Sequence, residues 1–202
     1  MGIAKGEPSA RDRLLAAADE LFYEEGVHTV GIDRVIERAG VAKASLYTSF
    51  GSKEELVRAY LEGRAATRRA RIEDRIARVA GPREKILAVF EAMEERVVEP
   101  DFRGCAFVNA SVEGPPGPSR VRQACADSRA WLRDLFTRLA RESGAKDAAR
   151  VGRRLALLYD GAIVGAPLER DPALVAGEAR AMAEEVLDAL VPSKRAVTKK
   201  RG

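Results

Sequence analysis

Lys43, Tyr47, Thr48 and Lys53 are the residues whose types and spacing suit chemistry with another molecule, and that chemistry is recognition. Lys43, Ser45, Tyr47 and Thr48 fall in a stretch of about Ala42 to Ser49 that reads as one short helix, with Leu46 and Phe50 four apart on one side. Ala42 and Ala44 keep the start of that helix small, while the outer positions carry donors and acceptors. Such a helix fits a major groove as the second helix of a helix-turn-helix. An ordinary helical hairpin in an all-α core carries the same apolar pattern. Ser52-Lys53-Glu54-Glu55 then opens another helix, because Ser52 and Glu55 have capping-box spacing. A lysine in a first helical turn opposes the helix dipole. It makes sense beside an anion held jointly by the ammonium and the free backbone N–H groups, and a DNA phosphate is such an anion. The plain alternative is a solvated surface lysine.

Two further helices must position these side chains. Ser9 and Asp12 have capping-box spacing at the start of the first, whose buried stripe is Leu14, Leu15, Ala18, Leu21 and Phe22 and whose stop is Gly26. Ile32, Val35 and Ile36 give the second its apolar face. Ala39-Gly40-Val41 closes it, with Gly40 able to take the left-handed conformation of a helix C-terminus.

The stretch AGVAKASLYTSFGSKEEL, residues 39–56, resembles the N-terminal signature of TetR-family transcriptional regulators, and the likeness extends back through GVHTVGIDRVIERAG. It is dense across roughly the first sixty residues. Beyond them, FRGCAFVNASVE and LLYDGAIVGA are similar to segments of one branch of the family. Two positions depart from the pattern: Gly31 stands where a Ser or Thr cap is common, and Ser49 where a His or Tyr is common. The resemblance implies an all-α fold of about nine helices. A helix-turn-helix domain at 1–52 would be followed by an effector-binding and dimerisation domain at 53–191 and a basic tail at 192–202. It also implies a homodimer that represses from a palindromic operator in double-stranded DNA and is released by a small-molecule effector of unknown identity. The residues expected at DNA are Arg34, Ala42, Lys43, Ala44, Ser45, Tyr47, Thr48 and Lys53. Lys43, Ala42, Ala44 and Thr48 suit base edges; Tyr47 and Lys53, with Arg34 and Arg38, suit phosphates.

Composition bounds the alternatives. Of 202 residues, 46% are hydrophobic, enough for a core, and 33% are charged, as a solvated surface requires. The net charge of +4 permits a polyanionic partner. Within residues 1–52, however, acids outnumber basic residues, so recognition must come from geometry and not bulk charge. No run of about 18 apolar residues points to a membrane span, and no apolar leader opens the chain, so the expected location is the cytoplasm. Cys105 and Cys125 fit no zinc spacing, and His28 is the only histidine, which leaves no metal-ligand set and no His-based general base. No Gly-rich phosphate loop or nucleophile elbow occurs, so neither a cofactor nor an enzymatic activity is expected.

A long helix is expected from Lys53 to about Ala80, with an outer side rich in arginine (Arg64, Arg68, Arg69, Arg71, Arg75, Arg78) and mostly solvated. Gly81-Pro82 breaks it. Further helices are expected over about 83–99, briefly at 105–110, over 119–143 and over 147–166. A last one starts at Asp171 as cap with Pro172 at the first helical position. GPPGP at 114–118 reads as a loop. In the resemblance the last two helices pair with their copies across the dimer seam. An effector would sit among the middle helices near Phe90, Met93, Phe102, Phe107, Asn109, Trp131 and Tyr159, mostly apolar with few polar orienters. Two alternatives stay open: a helical protein-interaction module, and a thiol-sensing repressor without a small-molecule effector.

Overall fold

The structure is a computed structural model and describes residues 7–113 and 119–191. The described residues form nine α-helices and no strand. They are α1 (Ala10–Glu25), α2 (Ile32–Ala39), α3 (Lys43–Phe50), α4 (Lys53–Ala77), α5 (Pro82–Val97), α6 (Ala106–Glu113), α7 (Arg120–Glu142), α8 (Ala148–Gly165) and α9 (Pro172–Leu190), with a 3₁₀ turn at Ala166–Leu168. The GPPGP stretch and the basic tail at 192–202 lie outside the described residues. No described helix is long and apolar enough to cross a membrane.

The helix ends follow from local chemistry. The Ser9 hydroxyl accepts the Asp12 N–H at 3.1 Å and starts α1. Asp147 accepts the Arg150 N–H to start α8, and Asp171 accepts the N–H groups of Ala173 and Leu174 at α9, where Pro172 leaves no donor to satisfy. Pro82 is the first residue of α5, so α5 begins one residue before the expected start and ends at Val97.

The chain divides into two compact units, residues 1–65 with 106–126, and residues 66–105 with 127–202. This division by packing runs through α4, and α6 with the start of α7 joins the first unit. The first unit packs α1, α2 and α3 around Leu14, Leu21, Phe22, Val35, Leu46 and Tyr60, with the Phe22 and Tyr60 rings edge to face at 5.7 Å. Ala106, Ala110 and Cys125 belong to this same apolar cluster.

In the second unit α9 packs on α5 and α8, and the core is built on aromatic rings. Phe90 stacks on Phe136 at 5.6 Å, and Tyr159 sits edge-on to both, at 6.2 and 6.5 Å. Burial pushes the Tyr159 phenol above its ordinary pKa. The contact of α7 with α8 is close because Gly152 faces Thr137: a Cβ on Gly152 would lie 2.9 Å from the Thr137 backbone N and Cα.

The arginines of α4 are not a solvated stripe, which corrects the sequence expectation. In the first unit Arg64 donates to both carboxylate oxygens of Asp19, at 2.6 and 2.9 Å, and lies 3.8 Å above the Tyr23 ring. In the second, Arg68 donates to the Ser128 carbonyl at 2.6 Å, Arg69 lies 5.2 Å from the Trp131 ring centre, and Arg71 pairs with Glu99. Arg75 reaches Glu91 at 3.0 Å and Glu95 at 3.3 Å. Acids on α5 and just beyond it, and an aromatic ring on α7, supply the partners that a period count along α4 alone does not reveal.

Candidate nucleic-acid interface

α2 and α3 are each eight residues long, too short to persist in water without packing. Packing fixes them through few side chains. α2 is anchored by Val35 and Ala39, and α3 by Leu46, which is fully buried. Between them Gly40 takes φ 61° and ψ 44°, the left-handed conformation expected of it. Its N–H bonds to the Glu37 carbonyl at 3.1 Å, and the Val41 N–H bonds to Ile36 at 3.3 Å, which satisfies the last carbonyls of α2 while turning the chain. Phe50, half-buried at the end of α3, is covered by the Arg11 guanidinium, 5.0 Å from the ring centre.

That anchoring leaves one side of α3 outward. Ala42, Lys43, Ala44, Tyr47 and Thr48 are exposed, Tyr47 at 47%, while Ser45 is half-buried. Ala42 caps α3 without a side-chain hydrogen bond, so the first N–H groups of the helix have no side-chain acceptor there. Five of the eight residues expected at DNA therefore share one exposed surface. Arg34 is also exposed, on α2, and pairs with Glu25. Lys53 is the first residue of α4 and half-buried. The Ser52 hydroxyl accepts the Glu55 N–H at 3.2 Å, the expected cap, while the Glu55 carboxylate takes hydrogen bonds from Arg58, at 2.8 Å, and Arg120.

The cations of this surface are held by acids of the same unit. Lys43 Nζ donates to Asp33 Oδ1 at 2.8 Å, and Arg38 donates to both oxygens of Glu20, the shorter bond 2.7 Å. The hydrogen bond that Lys43 donates to Asp33, and then the Asp33 charge, raise the Lys43 pKa above its ordinary value. Asp33 is not among the residues expected at DNA from the sequence. The signal for it was an acid in the first turn of α2, ten residues before a lysine in the first turn of α3, with a tight turn between the helices.

The expected effector residues are divided. Phe90, Met93 and Tyr159 are buried in the core of the second unit, with Phe102 and Trp131 half-buried against it. Phe107 and Asn109 lie on α6 in the first unit, where Phe107 packs against that unit's own core. The seven residues thus fall in different units, because α6, with the start of α7, belongs to the apolar cluster of α1–α3 and the start of α4. Asp160, beside Tyr159, is taken up by Arg129 at 2.7 Å.

Two short helices joined through a left-handed glycine, the second presenting a polar outer face, define a helix-turn-helix unit. Residues 14–60 match the family of bacterial regulatory proteins of the tetR family. The chain is 36% identical to a TetR-family transcriptional regulator of Streptomyces coelicolor whose crystal structure superposes with a TM-score of 0.84, covering 90% of this chain and 95% of that one. It therefore belongs to the TetR family of transcriptional regulators, which are DNA-binding proteins and not enzymes. Among curated relatives it is 32% identical over 139 residues to the HTH-type transcriptional activator FasR of Mycolicibacterium smegmatis, an alignment covering 66% of this chain and 60% of the relative. It is 34% identical over 89 residues to the HTH-type transcriptional repressor KstR2 of Mycobacterium tuberculosis, covering 44% of each. The chain thus spans less than two thirds of the length of these curated relatives.

Proposed function

We propose that the chain is a homodimeric repressor in the cytoplasm that binds a palindromic operator and is released from it by a small molecule. The observation that carries the reading is the surface of α3. Leu46 is its one fully buried side chain, and the outward positions hold a lysine, a tyrosine, a threonine and two alanines. That combination pairs base-edge donors and methyl groups with a phosphate ligand on a helix narrow enough for the groove. Residues 1–52 serve as the reader and 53–191 as the sensor and dimer body.

A second copy of the chain is the partner that suits the α8–α9 surface. Leu157, Leu168, Leu174 and Met182 are exposed there, at 62%, 81%, 62% and 46%. They line a groove of about 890 Å³ together with Gly161 and Ala162 and the charged Glu169, Arg170, Asp171 and Glu178. Side chains this apolar on adjacent helices mark an interaction site. A two-fold dimer through them would set two recognition helices on successive major grooves, about 34–36 Å apart. The effector is placed in the second unit, at Phe90, Met93, Phe102, Trp131 and Tyr159. It releases DNA by binding the arrangement that cannot engage both grooves more tightly than the one that can.

Selection from a random duplex library near physiological salt tests the reading. An enriched inverted repeat with helical-turn spacing supports it, and transcription from that sequence then separates repression from activation. Recovery of duplexes without any consensus overturns it.

A further inference from the structure

The carboxylate of Asp33 stands among the groups proposed to meet DNA, and toward phosphate it is repulsive. Its side chain is 78% exposed, and that of Lys43, which it binds, is 58% exposed. Asp33, in the first turn of α2, already meets the Lys43 ammonium, and in a major groove it would find further donors at cytosine N4 and adenine N6.

The edge of a G·C pair presents, in order, guanine N7, guanine O6 and cytosine N4: acceptor, acceptor, donor. O6 and N4 are hydrogen-bonded to each other at about 2.9 Å. Lys43 Nζ and Asp33 Oδ1 are held 2.8 Å apart. A protein donor and acceptor therefore stand side by side at the separation of a base acceptor and donor. The ammonium has three N–H groups and gives one to Asp33, leaving two for O6 and N7. The other carboxylate oxygen of Asp33 has no partner among the described residues and can accept the outer N4 hydrogen. A T·A pair offers methyl, acceptor, donor, so one ammonium N–H would face a methyl group unmatched.

We propose that Lys43 and Asp33 together read one G·C base pair in each half-site, Lys43 donating to guanine O6 and N7 and Asp33 accepting from cytosine N4. The proposal rests on the reading of α3 as the helix that enters the groove. It assigns α2 a share of the sequence specificity. It also gives the self-paired lysine a role in which its partner is kept on binding. The raised Lys43 pKa agrees with an ammonium that stays charged throughout.

The test is library selection with the full chain and its Asp33→Ala and Asp33→Asn variants. It is followed by binding to operators carrying N4-methylcytosine or 7-deazaguanine at the constrained pair. The unaltered protein is expected to demand G·C at one position of each half-site, and to lose about tenfold in affinity with either modified base. Asp33→Ala should relax that position and become indifferent to N4-methylcytosine while still sensing 7-deazaguanine. Asp33→Asn, which keeps the side chain's shape, should turn the preference toward T·A, with adenine in the place of cytosine, because an amide meets adenine N6 and N7 together. A consensus that survives Asp33→Ala and Asp33→Asn unchanged overturns the joint reading and leaves the DNA-binding assignment standing. So does a uniform rise in affinity for all sequences, which would make Asp33 a plain counter-charge. If the unaltered protein enriches no consensus, the assignment of α3 fails, and the proposal fails with it.

Discussion

The α3 surface and the α8–α9 surface are both exposed and both belong to helices anchored on their other side, yet they present opposite chemistry. On α3 the outward residues are short or polar, and the Lys43 ammonium is matched to an acid. On α8, α9 and the turn between them, leucine and methionine stand exposed beside charged residues such as Arg153, Glu178 and Glu185. A surface that keeps its charges in solvent and its methyl groups small is suited to a hydrated polyanion. A surface that exposes Leu157, Leu168 and Leu174 is suited to another protein face, because the apolar area is only stabilising once covered. Under the proposed function the difference separates two jobs within one chain, reading and pairing.

The largest effect should come from charging the apolar surface. Leu157→Glu with Leu174→Glu is expected to give a monomer by sedimentation, with operator affinity reduced on the order of 10²- to 10⁴-fold through lost bivalency. A dimer that survives both charges would break the comparison. Next comes the packing behind that surface. Gly152→Ala places a methyl group against the Thr137 backbone and should cost about 1–3 kcal/mol of stability in thermal unfolding. Gly63→Ala in α4, where a Cβ meets nothing within 4 Å, should instead stabilise by about 0.5–1 kcal/mol. Equal melting shifts for the two would mean that the α7–α8 contact is looser than described.

The reading surface should respond more selectively. Lys43→Ala is expected to relax sequence preference by about 1–3 kcal/mol at one base pair. Lys53→Ala should weaken binding to all sequences and lower the salt slope by about one. Equal losses on operator and random duplexes from both variants would blur the division between base and phosphate contacts.

The smallest effect concerns acid. Pairing with Arg71 holds the Glu99 carboxyl below its ordinary 4.5. Its contribution to stability is therefore complete above that value and is lost as pH falls through the depressed folded value. Glu99→Gln should flatten the acid limb of the melting curve below pH 4.5 and leave neutral DNA binding unaltered. A parallel acid limb in the variant would assign the acid sensitivity to other carboxylates.

Where the cause of a feature is local, the sequence carried it plainly. Gly40, the Ser9 cap and the Asp171-Pro172 start of α9 each depend on neighbours within a few residues, and each stands where it was expected. The recognition candidates Lys43, Tyr47 and Thr48 were legible because exposed and buried positions alternate with the helical period around Leu46. Asp33 was not, since its meaning lies across a turn in Lys43. The arginines of α4 were misjudged for the same reason. Their partners Asp19, Ser128, Glu99 and Glu91 lie 16 to 60 residues away. Phe107 was assigned by its apolar character to a pocket, whereas the packing of α6 as a whole decides its neighbours.

The first unit is discontinuous in the chain, and this bears on how the protein is made. When residue 65 has left the ribosome, α1, α2, α3 and the first turns of α4 are all synthesised, but Ala106, Ala110 and Cys125, which close their core, are not. A vectorial, N-terminus-first order of folding is therefore incomplete for the first unit until residue 126 emerges, by which time residues 66–105 of the second unit have also been translated. A fragment cut at residue 65 would carry the whole helix-turn-helix and still expose the apolar surface that α6 and the start of α7 cover.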